Sequence, residues 1–206
     1  MLFTAVRLYA NRLEIMREFW QVSYLFAPVL LGLTTHGICI KFGWLSFLHH
    51  PVDGGAEFRG KRVFGVNKTW RGIAAMALGT SLGSAIQAVW LHNYESVRAL
   101  ELFDYSLPNA LLVGLLMGLA CGLSELPNSL IKRQLDIAPG ATASGWINAV
   151  FYVFDQVDFL VGMWIVLAFV IEISLTRIFF SLVFLFVTHQ IISLLGYLLG
   201  MRKTAR

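Results

Sequence analysis

The chain has 206 residues, of which 57% are apolar and only 14% are charged, and its mean hydropathy is +0.70. Soluble domains average about 45–50% apolar and about 25% charged residues, so these values exclude an ordinary soluble enzyme, a disordered chain and a fibrous repeat. The net charge of +4 is typical of the cytoplasmic loops of a membrane protein and does not indicate a nucleic-acid partner. Cys39 and Cys121 lie in apolar stretches and predict neither a disulfide framework nor a zinc site.

The first 18 residues mix charged side chains with leucine, phenylalanine, valine and tyrosine. The charged residues are Arg7, Arg12, Glu14, Arg17 and Glu18. A cleavable signal would place its charge first and an apolar run after it. The mixed pattern instead predicts that residues 1–18 form an amphipathic segment lying at the membrane interface.

Five stretches are apolar and long enough to be considered as membrane spans, which need about 20 residues. They are residues 19–40, 73–91, 107–124, 159–171 and 178–201. The fourth is short and reaches spanning length only by extending backward through Asp155 and Asp158 or forward past Glu172. The sequence therefore predicts an all-α integral membrane protein of about five transmembrane helices, with residues 1–206 forming a single membrane domain.

The third span carries a stripe of small residues. Gly114, Gly118 and Gly122 recur at a spacing of four, which brings them to one helical face. Such a stripe suits close packing of two helices in a membrane. The partner helix can belong to the same chain or to a second copy, so a homodimer stays open.

The distribution of lysine and arginine predicts the orientation. The segment 41–72 carries six of these residues, the loop after the third span carries two, and the tail carries Arg202, Lys203 and Arg206. The loop 92–106 and the turn after the fourth span carry one each. We therefore expect an inner-membrane or plasma-membrane protein whose polar segments and C-terminus face the cytoplasm and whose N-terminus faces outward.

The first polar segment, 41–72, is rich in glycine and in basic residues where it enters the second span. Asn67, Lys68, Thr69 and Arg71 lie at the predicted start of that helix. Exposed backbone N–H groups and the helix dipole favour an anion at such a position. The segment is a candidate cradle for a triphosphate, although a positive-inside anchor for the second span explains the same residues without chemistry.

We predict that the two polar segments, 41–72 and 125–158, are cytoplasmic loops that carry the candidate functional residues. The second begins with residues at helical spacing. Glu125, Ser129 and Lys132 are four and three residues apart, which places them on one face of a helix, and Arg133 follows directly. Polar residues beside a membrane span are costly, so they are candidates for function.

Asp155 and Asp158 lie three residues apart at the mouth of the fourth span. Two carboxylates on one helical face there need a compensating cation. A divalent metal such as Mg²⁺ takes oxygen ligands, typically one or two carboxylates together with substrate phosphates. An ion pair with Lys132 or Arg133 would compensate the charge equally well, and the residues alone leave both alternatives open.

His36 and His189 each stand alone in an apolar span. For such a residue we expect a hydrogen bond to a neighbouring helix and no catalytic role.

Taken together, the two polar segments resemble the integral-membrane CTP-dependent lipid cytidylyltransferases, most closely the CDP-archaeol synthase family in its bacterial-type branch. The resemblance covers roughly residues 36–162. Its motifs are Pro51-x-Asp53, Arg62-Val63-Phe64-Gly65-x-Asn67-Lys68-Thr69-Trp70-Arg71-Gly72, Ser129-Leu130-Ile131-Lys132-Arg133, Pro139-Gly140 and Asp155-Gln156-Val157-Asp158-Phe159.

The resemblance implies five transmembrane helices around a polar cavity that opens to the cytoplasm. In that cavity CTP and a phosphorylated lipid would meet with Mg²⁺, and CMP would pass to the lipid phosphate while pyrophosphate leaves. An archaeol-type ether lipid, phosphatidic acid and a polyprenyl or alkyl phosphate all fit as the lipid. Two alternatives stay open, a non-catalytic relative that binds nucleotide or lipid and a small ion-coupled transporter.

The resemblance also implies roles for individual residues. The metal ligands are Asp155, Asp158 and Glu125. The residues that hold CTP are Asn67, Lys68, Thr69, Arg71 and Ser129. The catalytic residues are Asp155, Asp158, Lys132 and Arg133, of which the two basic ones would contact the lipid phosphate or the leaving pyrophosphate.

Two positions depart from the family pattern. Ser124-Glu125 stands where the family usually has Gly-Asp, so the carboxylate is kept on a longer arm. Ala138 stands where a lysine is often found, which removes one phosphate contact.

Overall fold

The computed structural model of the protein describes residues 2–139, 141 and 145–198. Gly140 and the tail residues Arg202, Lys203 and Arg206, which entered the sequence predictions, lie outside the described residues. The helices are α1 (Leu2–Phe42), α2 (Trp70–Ile86, extended by one π-helical turn at Gln87–Leu91), α3 (Glu95–Arg98), α4 (Leu107–Gln134), α5 (Gly145–Leu167) and α6 (Leu175–Leu198). A 3₁₀ turn at Ser46–Leu48 and an antiparallel hairpin of β1 (Glu57–Phe58) and β2 (Lys61–Arg62) lie between α1 and α2.

Within the described residues, five helices are long and apolar enough to cross a membrane. These spans are Tyr9–Phe42, Trp70–Leu91, Leu107–Gln134, Gly145–Leu167 and Leu175–Leu194. The predicted all-α integral membrane fold with about five transmembrane helices is confirmed.

The second polar segment is largely helical, so the prediction of a loop over 125–158 was wrong. Residues up to Gln134 complete α4, and α5 begins at Gly145 and runs through Asp155 and Asp158. The fourth span therefore reaches spanning length by extending backward through the two aspartates. Its polar residues are compatible with a membrane helix because they face a cavity between helices instead of lipid.

The first helix is also longer than predicted. No boundary separates residues 2–18 from the first span, because the helix meets no proline before Pro28. With 41 residues, α1 is about 60 Å long at about 1.5 Å per residue. That length is about twice the hydrocarbon thickness of a bilayer. The interfacial position of residues 1–18 stays a prediction.

The glycine stripe of α4 packs against α2. A Cβ added to Gly118 would lie 2.5 Å from the backbone oxygen of Met76, and one added to Gly114 would lie 2.5 Å from Ser84 Oγ. Gly122 meets α2 in the same way, because its Cβ would lie 3.0 Å from the side chain of Ile73. The stripe is therefore used within the chain, and a homodimer would need another surface.

The remaining helices close around a tightly packed centre. Phe26 of α1, Met117 of α4 and Met163 of α5 are almost completely buried. Trp164 of α5 donates a hydrogen bond from Nε1 to Ser181 Oγ of α6 at 2.9 Å. Because lipid is as apolar as these side chains, close packing and such interhelical hydrogen bonds hold the bundle together.

Gly118→Val tests the packing of α4 on α2. The added side chain would meet backbone atoms of Met76 and Ala77, so we expect a destabilisation of about 1–3 kcal/mol or more. The measurement is the melting temperature of the purified protein in detergent. Leu112→Val is the control on the same helix, because Leu112 is 54% exposed within the monomer. Equal melting temperatures for the two variants would contradict the packing described here.

Candidate active site

One buried carboxylate organises the loop that leads into α2. The Asp53 side chain is 1% exposed and accepts hydrogen bonds from Arg62 Nη2 at 2.6 Å and from the backbone N–H groups of Gly55, Phe64 and Gly65, each at 3.0 Å. Burial alone would raise the pKa of Asp53, but the guanidinium and the three N–H groups hold that pKa well below its ordinary value of 3.8. The loop is therefore fixed by an ionised carboxylate just before Asn67 and Lys68.

The hairpin in this loop is tied to the end of α4. Lys61 Nζ donates to the backbone oxygen of Gln134 at 2.9 Å and to Asp136 Oδ2 at 2.7 Å. Gly65 has a φ of +93°, and a Cβ there would lie 3.1 Å from Pro139 Cγ. Glycine is needed at this position both for the left-handed backbone and for the close approach. These contacts hold the first polar segment against the second.

The chain then turns into α2 at Thr69. The Thr69 hydroxyl oxygen accepts a hydrogen bond from the Gly72 N–H at 3.3 Å and caps the helix. The Val52 N–H donates to the backbone oxygen of Lys68 at 2.8 Å, so the residue before the cap is held as well. The predicted helix start at these residues is present, with Thr69 as its N-cap.

An ion pair joins the two polar segments. Lys68 Nζ of the first segment donates to Glu125 Oε2 of α4. Both partners were predicted site residues, Lys68 for CTP and Glu125 for metal. In this structure each neutralises the other across the junction of α2 and α4.

The two aspartates of α5 face the polar end of α4. Lys132 Nζ donates to Asp155 Oδ1 at 2.5 Å and to Oδ2 at 2.7 Å, so one ion pair that the sequence left open is present. Asn128 Nδ2 donates to Asp155 Oδ1 at 2.6 Å and to Asp158 Oδ2 at 3.0 Å. Asp158 Oδ1 also accepts from the Phe159 N–H at 2.7 Å.

Asn128 is a residue that the sequence interpretation missed. It lies three residues after Glu125 and four before Lys132, so it belongs to the same helical face that carried the predicted residues. That spacing was a usable signal. The contacts of Asn128 with Asp155 and Asp158 depend on how α5 packs against α4, which spacing along the chain does not show.

These contacts surround a polar cavity of about 400 Å³. Its lining includes Phe64, Asn67, Lys68, Glu125, Asn128, Ser129, Lys132, Arg133, Pro139, Asp155 and Asp158. It gathers the predicted site residues except Thr69 and Arg71. Arg133 Nε and Nη1 are buried and have no hydrogen-bond partner among the described residues. The cavity therefore offers a cationic group suited to an anionic ligand.

A second, apolar cavity of about 250 Å³ adjoins the polar one. Its walls include Val29, Leu33, Ile73, Met76, Phe159, Leu185 and Ile192. The two cavities share Asn67, Lys68, Glu125 and Asp155 in their linings. They therefore meet at the Lys68–Glu125 ion pair.

The other residues that the sequence analysis singled out lie outside the polar cavity. Thr69 lines the apolar cavity, as do His36 and His189, which were expected only to contact neighbouring helices. Arg71 lines neither cavity, although it lies in the first turn of α2. The geometry therefore gives Arg71 no direct place beside a ligand in either cavity.

The donors present suit a hard divalent cation in part. Among the described residues, no three His, Cys, Asp or Glu side chains come close enough to hold a metal ion. Asp155 and Asp158 nevertheless turn one oxygen each toward the same amide nitrogen. Two carboxylates with water and substrate phosphates form a common ligand set for Mg²⁺, so these two residues would hold such an ion once Lys132 released Asp155.

Asp53→Asn tests whether the carboxylate fixes the loop. The variant loses the charge that Arg62 and the backbone N–H groups stabilise, so we expect severalfold faster tryptic cleavage between Arg59 and Arg62. The lowered pKa means that this stabilisation is present throughout the neutral range and is lost only as pH falls through the lowered value. Asp136→Asn is the control, because its ion pair with Lys61 is exposed and contributes little, and Lys61 keeps its hydrogen bond to the backbone oxygen of Gln134. Equal cleavage of both variants would contradict the role of Asp53.

Known proteins are related to this chain in sequence. The family model of CarS-like CDP-archaeol synthases matches residues 23–205. The CDP-archaeol synthase of Thermococcus gammatolerans is 31% identical over 157 residues, which cover 74% of this chain and 80% of that protein. The one from Pyrococcus furiosus is 30% identical over 154 residues, 72% of each chain. The alignment with the one from Thermococcus onnurineus, 33% identical, spans only 54% of this chain and 56% of that protein.

A solved structure shares the fold. It is described as an intramembrane enzyme for archaeal membrane lipid biosynthesis, and it superposes with a TM-score of 0.58 over 82% of this chain and 90% of that one at 20% identity. The family match covers both polar segments and all five spans apart from the first part of α1. The chain belongs to the CDP-archaeol synthase family.

Proposed function

We propose that the protein transfers CMP from CTP to the phosphate of a membrane lipid, giving a CDP-lipid and pyrophosphate. The observation that carries this proposal is the meeting of a polar and an apolar cavity at the Lys68–Glu125 ion pair. CTP is a water-soluble polyanion and needs the first environment, whereas lipid chains need the second. Membership of the CDP-archaeol synthase family does not favour the non-catalytic and transporter alternatives.

The reaction is a displacement at the α-phosphorus of CTP. An oxygen of the lipid phosphate forms the new bond to that phosphorus, and the bond to the bridging oxygen of the β-phosphate breaks. No strong base is required, because a phosphate monoester is already anionic at neutral pH. The protein must bring two anions together in line and neutralise the charge that opposes their approach.

The basic residues of the polar cavity supply that neutralisation. Nε and Nη1 of Arg133 have no hydrogen-bond partner among the described residues, which suits Arg133 to bind the phosphates that become pyrophosphate. Lys68 lies where both cavities meet, so it reaches the side from which the lipid phosphate approaches. Mg²⁺ held by Asp155 and Asp158 would add positive charge against the triphosphate.

The apolar cavity is proposed to receive the lipid next to its phosphate. Its walls come from α1, α2, α4, α5 and α6 and include the aliphatic side chains of Val29, Leu33, Ile73, Leu185 and Ile192. With the phosphate at the junction of the cavities, the chains extend between the helices toward the bilayer. The polar cavity lies at the end of the bundle that carries the basic loop between α1 and α2. The basic residues of this loop support a cytoplasmic position for this end under the positive-inside rule, and CTP is available there.

The proposed lipid is an archaeol-type ether lipid phosphate, because the relatives described above are CDP-archaeol synthases. The test uses the purified protein in detergent with CTP, Mg²⁺ and a panel of lipid phosphates. We expect the highest kcat/KM with the archaeol-type phosphate. A preference for phosphatidic acid or a polyprenyl phosphate would overturn the lipid assignment and leave the CMP transfer intact.

Asp158→Asn tests the role of the aspartate pair. The substitution removes one negative charge and one oxygen ligand, so we expect CDP-lipid formation to fall by about 10²-fold or more, with the melting temperature showing whether the variant is folded. Asp104→Asn is the control, because Asp104 lies just before α4, at the other end of that helix. Full activity of the Asp158→Asn variant would contradict the assignment.

Leu33→Trp tests the apolar cavity. The larger side chain would occupy part of the cavity that Leu33 lines together with Met76 and Leu185. We therefore expect the apparent KM for the lipid to rise about tenfold, or about 1.4 kcal/mol, while the KM for CTP stays unchanged. Leu82→Trp is the control, because Leu82 of α2 is 55% exposed within the monomer. A rise in the KM for CTP alone would show that the two cavities are assigned to the wrong substrates.

A further inference from the structure

Asn128 is bonded to both aspartates of the polar cavity. Asn128 is 7% exposed. Its amide nitrogen lies 2.6 Å from Asp155 Oδ1 and 3.0 Å from Asp158 Oδ2. Two oxygens within hydrogen-bond distance of one atom must point to the same place. The direction in which the two carboxylates face is therefore coupled to Asn128.

The chemistry of the amide fits this position. Two carboxylates on one helical face repel each other, and a neutral NH₂ group carries two N–H donors, one for each of them. If the amide were flipped, its oxygen, which can only accept hydrogen bonds, would face both carboxylates. The hydrogen bonds therefore fix which end of the Asn128 side chain faces α5.

The neighbouring charged groups do not replace this contact. Lys132 donates to both oxygens of Asp155, and Glu125 is paired with Lys68. Asp158 accepts a backbone N–H from Phe159 through its other oxygen. Within the part of the chain that the structure describes, Asn128 is the side chain that links the two aspartates.

We infer that Asn128 is a positioning residue, which holds Asp155 and Asp158 in the wall of the polar cavity, with one oxygen of each turned toward its amide nitrogen, before substrates bind. This inference rests on the proposed function of that cavity. Fixing the carboxylates in advance reduces the reorganisation that the reaction would otherwise need. Loss of Asn128 should therefore lower the turnover rate more than the binding of CTP.

The central variant is Asn128→Asp, which keeps the shape of the side chain but replaces the donor with a third carboxylate. Asn128→Ala removes the group altogether. The matched control is Asn109→Asp on the same helix, where Asn109 Nδ2 donates to Asp104 Oδ2 at 2.7 Å but is exposed and far from the cavity. The double variant Asn128→Asp with Asp158→Asn exchanges the acid and the amide, so that an amide at 158 faces a carboxylate at 128.

The melting temperature in detergent reports the contact independently of activity. We expect Asn128→Asp to lower it, because three carboxylates then meet without the bridging donor. The exchanged double variant should recover most of that loss. An unchanged melting temperature in the Asn128→Asp variant would overturn the proposed contact.

Kinetics of CDP-lipid formation report the positioning role. We expect kcat to fall at least tenfold in the Asn128→Asp and Asn128→Ala variants, with the KM for CTP within about threefold of the wild type and Asn109→Asp unchanged. The exchanged double variant should stay inactive although its stability recovers, because Asp158 is lost. A fall in melting temperature with full kcat would reduce Asn128 to a structural residue and overturn the inference. A wild-type protein that forms no CDP-lipid would instead overturn the proposed function, and the melting temperatures would still decide whether the contact exists.

Discussion

The close approach of α4 to α2 is the constraint on which the site depends. A Cβ at Gly118 would lie 2.5 Å from a backbone oxygen of α2, so the two helices touch backbone to backbone. This contact brings Lys68, just before α2, within reach of Glu125 on α4. It also sets the loop held by Asp53 against the end of α4. Without small residues along this face, the two polar segments could not share one cavity.

The membrane explains why these charges are paired. A charge within a span is expensive unless it has a partner or faces water. The polar cavity is lined by three basic side chains, Lys68, Lys132 and Arg133, and by three acidic ones, Glu125, Asp155 and Asp158. The formal charges of these six residues sum to zero without a ligand. A polyanionic substrate and a divalent cation can then enter together: the basic side chains pair with the substrate and the carboxylates pair with the cation.

Much of the fold could be predicted from the sequence because lipid imposes long apolar stretches, and the number of spans follows from them directly. The helical faces of Glu125, Ser129 and Lys132 and of Asp155 and Asp158 were visible as spacings of three and four. The prediction of a loop over 125–158 was wrong because polar residues can continue a membrane helix when they face a cavity. Hydropathy alone does not distinguish these two situations.

The contacts between segments could not be predicted in the same way. Arg71 belongs to the same motif as Lys68, yet it lines neither cavity, since the first turn of a helix carries successive residues to different sides. Asn128 gains its importance from partners that are distant along the chain, whereas the partners of Asp53 lie within its own loop. The pairing of Asp53 with Arg62 and the backbone of Gly65 depends on how the loop folds back on itself, which spacing does not reveal.

The most direct test of the account follows the two ends of the CTP triphosphate. The purified protein, in detergent with Mg²⁺ and an archaeol-type lipid phosphate, is supplied in parallel with CTP labelled at the α-phosphate or at the γ-phosphate. CMP transfer predicts that the α-label appears in the lipid and that the γ-label appears only in pyrophosphate. Appearance of the γ-label in the lipid, or no transfer of the α-label to any lipid phosphate in the panel, would contradict the proposed reaction.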